Sequence, residues 1–182
     1  LYPRDVDKAK ELLAEAGYAD GVTLDLWVAN EDTAAAEALQ QGLAEANITV
    51  NINPLDLGVM YGDAMGGNPA YDMFLSYWIG DYPSPGAYIE LMFQTKYIDG
   101  GYNLSRMADP ELDAAIAGAI ADPDIEAAVA QWTAIDQQIM ESASFLPLYL
   151  TRNAFLPGSG IAAFDVPAFP SYPNYLTMSR AG

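Results

Sequence analysis

The chain of 182 residues carries 25 acidic against 7 basic side chains, a formal charge of −18, with no histidine and no cysteine. This composition excludes disulfides, thiolate and histidine catalysis and Cys/His zinc sites within the chain, and its negative field opposes nucleic acid and anionic lipid surfaces. Hydrophobic residues make up 52% of it, enough for a real core, and solubility in a salty or extracellular medium accounts for the charge.

In chain order, Asp5 reads as an N-cap, and Val6, Ala9, Leu13 and Ala16 form the stripe of a helix that stops at Gly17. Asp20-Gly21 is a turn, and Val22–Val28 alternates as a strand with Leu24, Leu26 and Val28 on one side. Thr33 opens a second helix through Leu39, Leu43 and Ala46. Ile48–Ile52 alternates again, and Asp56–Met65 is a weak helix ended by Gly66-Gly67. The apolar run Met73–Ile79 reads as a buried strand. Helix, strand, helix, strand, helix, strand argues for an α/β fold with a mostly parallel sheet and crossover helices.

The run Met73–Ile79 stops at Gly80-Asp81-Tyr82-Pro83, and Ser84-Pro85 then reads as the cap and first residue of a short helix to Phe93. Gln94–Asn103 is irregular. Asp109-Pro110 and Asp122-Pro123 are two further helix starts, the first launching Leu112, Ile116 and Ile120, the second Ile125, Val129, Trp132, Ile135 and Ile139. Phe145–Leu150 reads as an apolar strand, with Pro147 marking an edge or a bend. From Phe155 onward the texture is Pro, Gly and aromatic without periodicity, an irregular tail that packs by its aromatics on something else. The start at Leu1, inside a helix entry, reads as a piece of a longer protein. No run is apolar enough to span a membrane, and no signal peptide is visible.

Candidate chemistry concentrates at Asp81. Turn chemistry alone accounts for an aspartate there. The functional alternative is a carboxylate in a cleft beyond a strand's carboxyl end, receiving a cationic group beside the indole of Trp78. Tyr77 reads as core at least as well as pocket, and Trp132 reads as core. Asp81 and Glu90 do not make a glycosidase pair, since Glu90 falls on the exposed side of its helix. Asp122 and Asp124 are too few for a calcium loop, so no metal site is expected. No phosphate loop or nucleophile elbow is present.

Four segments in series resemble a known family. DVDKAKELLAEAGYADG, YDMFLSYWIGDYPSP, GGYNLSRMADPELDAAI and SASFLPLYLTRN are together similar to the extracytoplasmic solute-binding proteins of peptide ABC importers, the oligopeptide/dipeptide-binding, family 5 type. The resemblance implies a type II periplasmic-binding-protein lobe over 1–153, the second or C-terminal of two. It implies a tail over 154–182 that returns to the missing first lobe.

By the same resemblance Asp81 pairs with a ligand's α-amino group, Trp78 and Tyr82 lie beside the ligand, and Tyr149 is a hinge tyrosine. Asn103 is structural. The implied function is capture of a peptide or related small solute, delivered to a membrane permease from an extracytoplasmic position, periplasmic or lipid-anchored, with no cofactor and no enzymatic turnover. The alternatives are the same fold on a nickel complex, an opine or an oligosaccharide, then an acidic hydrolase, then a structural or adhesion module.

Overall fold

Four helices begin at an aspartate whose carboxylate accepts backbone N–H groups of the first turn. These are α1 (Val6–Glu15) at Asp5, α3 (Leu57–Met65) at Asp56, α5 (Pro110–Ala121) at Asp109 and α6 (Ile125–Glu141) at Asp124. The computed structural model describes residues 2–67 and 69–181. Leu1 and Gly182, the outer ends of the two expected segments, lie outside it.

Strands β1 (Val22–Ala29), β2 (Ile48–Leu55) and β3 (Met73–Phe74) form a parallel sheet in the order β2-β1-β3. Leu24 stands opposite Val50 and Leu26 opposite Ile52, so the apolar residues of both strands share one face. Helix α2 (Thr33–Ala44) covers that face, with Ala36 packed into a core of Leu26, Val28 and Val50. The entry to β1 needs glycine: at Gly21 φ is +97° and a Cβ would lie 2.3 Å from the Asn47 carbonyl oxygen. On the opposite face, Trp27 packs on Tyr71 with ring centroids 5.2 Å apart.

A second core joins α4 (Gly86–Phe93), α5 and α6 through Ile89, Phe93, Leu112, Ile116, Trp132, Ile135 and Ile139. Gln138 of α6 donates to the second carboxylate oxygen of Asp109 at 3.1 Å, so one aspartate caps α5 and ties it to α6.

Several expectations are corrected. The run Met73–Ile79 is not a buried strand: only Met73 and Phe74 pair with β1, followed by one bond from the Leu75 N–H to the Trp27 carbonyl. Beyond it the Trp78 indole N–H donates to the Ala87 carbonyl at 2.8 Å, which draws the chain off the sheet toward α4. Tyr77 is 60% exposed, not core. Phe145–Leu150 forms no strand. Phe145 sits edge-on to Phe93 at 5.4 Å, but no described strand pairs with the segment, and Leu150 is 96% exposed.

Helix α6 starts from Asp124 rather than Asp122, whose carboxylate instead takes the Asp124 N–H and the Gln131 amide. Ile120, Ile125 and Val129 face outward, leaving Leu112, Ile116, Trp132, Ile135 and Ile139 as the buried stripes. Glu90 is half-buried, held by Lys96 at 3.1 Å and the Tyr97 hydroxyl at 3.3 Å. In the tail, β4 (Ile161–Ala163) and β5 (Ser179–Arg180) pair antiparallel, while Phe155, Leu156, Tyr172, Tyr175 and Leu176 are exposed.

Candidate functional site

The strand order reverses at β1, since the chain runs outward to β2 and then back across, through α3, to β3. In open parallel sheets the crevice at such a reversal, beyond the carboxyl ends of the strands, is where ligands bind. Here an open depression of about 440 Å³ lies there. Leu57, Gly58 and Tyr61 of α3 line it just after β2, Tyr77, Trp78, Ile79 and Asp81 line it just after β3, and Tyr102 closes it from the loop before α5.

Local chemistry explains this convergence. Helix α4 starts one residue later than expected: Pro85, not Ser84, is its cap and Gly86 its first residue, while the Ser84 hydroxyl accepts the Gly86 N–H at 3.3 Å. The Trp78 indole N–H is committed to α4 through Ala87, which leaves the ring system of Trp78 to the wall. Tyr102 meets Trp78 edge-on at 4.7 Å, and Tyr61 meets Tyr102 at 6.2 Å. Burial pushes the Tyr61 hydroxyl above its ordinary range, an effect that the nearby Ser76 side chain opposes.

Tyr102 owes its position to Asn103, which is fully buried. The Asn103 amide donates to the Gln94 and Met107 carbonyls at 3.0 and 2.8 Å. Its oxygen accepts the Ser105 hydroxyl and the Met107 N–H at 3.0 and 3.2 Å. Four bonds from one buried amide fix the loop and leave nothing over for a ligand.

Asp81 is exposed and lines the depression, and none of the four ion pairs among the described residues involves it. Among the described residues it is the one charged residue lining the depression, and Trp78 lines it with Asp81. Tyr82 follows Asp81 in the chain but does not line the depression; its hydroxyl lies over Gly86. Burial raises the Tyr82 hydroxyl, helped by the Glu90 and Asp81 carboxylates. Tyr149 is 65% exposed on the segment after α6 and is also absent from the lining.

Sequence reasoning missed Leu57, Tyr61, Ile79 and Tyr102 as lining residues. The signal for Tyr61 was its place in the helix that follows β2. Among the described residues no group of three or more acids stands close enough together to hold a metal ion. No helix there is long and apolar enough to cross a membrane.

Residues 1–100 match the sequence profile of the bacterial extracellular solute-binding proteins, family 5, middle region. The chain belongs to that family. Di/tripeptide-binding protein 2 of Pseudomonas aeruginosa is 30% identical over 153 residues, 81% of this chain and 28% of that protein. The chain therefore spans under a third of that relative's length.

Among solved structures, the clavulanic acid biosynthesis oligopeptide binding protein 2 superposes on 98% of this chain and 34% of its own, with a TM-score of 0.85 at 24% identity. The periplasmic binding protein DppA from Helicobacter pylori, solved in complex with the peptide STSA, covers 81% of this chain and 29% of its own, with a TM-score of 0.75 at 23% identity. The α/β expectation, with a mostly parallel sheet flanked by helices, holds in this chain, and the chain shares its fold with these solved binding proteins. Family 5 is by description a family of extracellular binding proteins, not of enzymes.

Proposed function

We propose that this chain supplies one lobe of the solute-binding component of an ABC importer. In this reading it captures a peptide or related small solute bearing a free amine and delivers it to a membrane permease from an extracytoplasmic position. Residues 1–153 are the lobe and 154–182 the tail that returns to the other lobe. Asp81 receives the ligand's ammonium, and Trp78 lies against the ligand beside it. Tyr82 and Tyr149 reach ligand only in the assembled, closed protein.

The single observation that carries this reading is Asp81. It is a carboxylate without an ion-pair partner among the described residues, beside an indole, in a depression at the carboxyl end of a parallel sheet. Closure of a second lobe over this wall excludes water and lowers the local dielectric, which strengthens the ammonium–carboxylate attraction. A charge-assisted hydrogen bond of this kind contributes roughly 1.5–3 kcal/mol net. Removing the carboxylate strands a buried ammonium and costs on the order of 3–5 kcal/mol.

The test is calorimetry on the full-length gene product with free and N-acetylated di- and tripeptides, comparing wild type with Asp81→Asn and Asp81→Ala. Free-amine peptides bind the wild type, acetylation weakens them strongly, and both substitutions abolish that difference. Equal affinity of the Asp81 variants for free-amine peptides sinks the pairing role. Turnover of the bound solute is not expected, and its detection by mass spectrometry contradicts the reading.

A further inference from the structure

The wall around Asp81 is chemically lopsided. Seven other described residues line the depression. Leu57 and Ile79 are aliphatic, Tyr61, Tyr77, Trp78 and Tyr102 are aromatic, and Gly58 has no side chain. The polar tips of this wall are in part already spoken for. The Trp78 N–H is donated to Ala87. Apart from the phenol hydroxyls of Tyr61, Tyr77 and Tyr102, what the wall offers beside the carboxylate is ring surface and aliphatic surface.

An α-ammonium and its first side chain leave the same carbon atom. A ligand whose ammonium meets Asp81 sets that side chain within the neighbouring few ångströms, in reach of this surface. Trp78 and Tyr102 are braced edge-to-face at 4.7 Å, and Tyr61 supports Tyr102 in turn, so the surface is stiff and loses little freedom when covered. Tyr77, more than half exposed on the rim, has contact area to gain from a ligand.

We infer that Trp78, Tyr102, Tyr77 and Ile79 form a side-chain subsite adjoining Asp81 that selects amines whose first side chain is large and apolar or aromatic, over small or acidic ones. The inference rests on the ammonium-anchoring role proposed for Asp81. An acidic first side chain meets both the Asp81 charge and a surface with no cation among its lining residues. A glycine at that position leaves the wall uncovered and forgoes the burial of a full side chain, about tenfold or more in affinity.

The test is a matched series of tripeptides differing only in the first residue, Phe, Leu, Gly or Glu followed by Ala-Ala, each free and N-acetylated. They are titrated calorimetrically into the full-length gene product and its Tyr77→Ser and Tyr102→Leu variants. Tyr77 is exposed, so Tyr77→Ser keeps the fold, and a circular-dichroism melt verifies this for both variants.

The expected order is Phe and Leu first, Gly at least tenfold weaker and Glu weakest, with the Phe advantage over Gly reduced severalfold by Tyr77→Ser. If all four free peptides bind alike and acetylation still weakens them, the subsite is overturned while the Asp81 anchor stands. If the first-residue order survives and acetylation has no effect, the ammonium anchor and the inference built on it both fall.

Discussion

The ring of Tyr88 fills the space that a side chain would need at Gly80: a Cβ there would lie 2.6 Å from Cε2 and 2.8 Å from Cζ of the tyrosine. Gly80 immediately precedes Asp81, and Tyr88 sits on α4, so this contact and the Trp78–Ala87 bond together clamp the loop to the helix. Gly80→Ala pushes on the far end of a ring that is 43% exposed and can turn aside, so it is expected to cost about 0.5–1.5 kcal/mol, and clearly less when made in a Tyr88→Ala background. Chemical denaturation of the four proteins of this cycle measures the coupling. An identical penalty in both backgrounds shows that the ring is not the obstacle.

Asn103 carries a larger penalty. Asn103→Leu leaves the Gln94 and Met107 carbonyls and the Met107 N–H without their partner, at about 1–3 kcal/mol for each buried orphan. Asn103→Asp keeps the shape but turns a carboxylate on two carbonyl oxygens, so it is expected to be as damaging. A thermal melt in which Asn103→Asp matches the wild type contradicts the four-bond account.

Alkali is expected to destabilise the fold in a defined window. Burial raises the Tyr61 and Tyr71 hydroxyls, and burial with the nearby Glu90 and Asp81 carboxylates raises that of Tyr82, all from the ordinary 10.0. The folded state therefore keeps protons that the unfolded chain has released above pH 10.0. This contribution to stability is fully present below that pH and is lost as pH climbs through the folded values. Tyrosinate absorbance followed against pH, with denaturant midpoints in parallel, checks it: a late-titrating subset must appear, and the Tyr61→Phe variant must shrink it.

The charge predicts a salt effect. A net charge of −18 with few compensating ion pairs imposes self-repulsion on the folded state. Raising sodium chloride from about 0.01 M to 0.15 M shortens the screening length from roughly 30 Å to 8 Å, so the melting temperature should rise most over that interval. Sucrose of equal osmolality serves as the control and should not reproduce that dependence on ionic strength.

The sequence was most legible where the chemistry is local. The Asp5, Asp56 and Asp109 caps are one-turn interactions, and β1 and β2 alternate because one face meets α2. It was least legible where apolar residues serve something other than the local core. Met73–Ile79 reads as a strand because Tyr77, Trp78 and Ile79 are apolar, yet these residues line the depression rather than the sheet. Phe145–Leu150 has the composition of a strand, but pairing is a property of a neighbour, and no described strand pairs with it. Asp81 and Trp78 are recognisable because they lie three apart in one motif. Tyr61 and Tyr102 join them only through tertiary folding, across 17 and 24 residues of chain respectively from Trp78.

The three tryptophans fall in three unlike surroundings. Trp132 is buried between α4, α5 and α6, Trp27 rests on Tyr71 on the sheet's far face, and Trp78 alone borders the depression. The molecule thus contains its own optical probe. With Trp27 and Trp132 replaced by phenylalanine, the remaining indole emission reports directly on the surroundings of Asp81, without any label at the site.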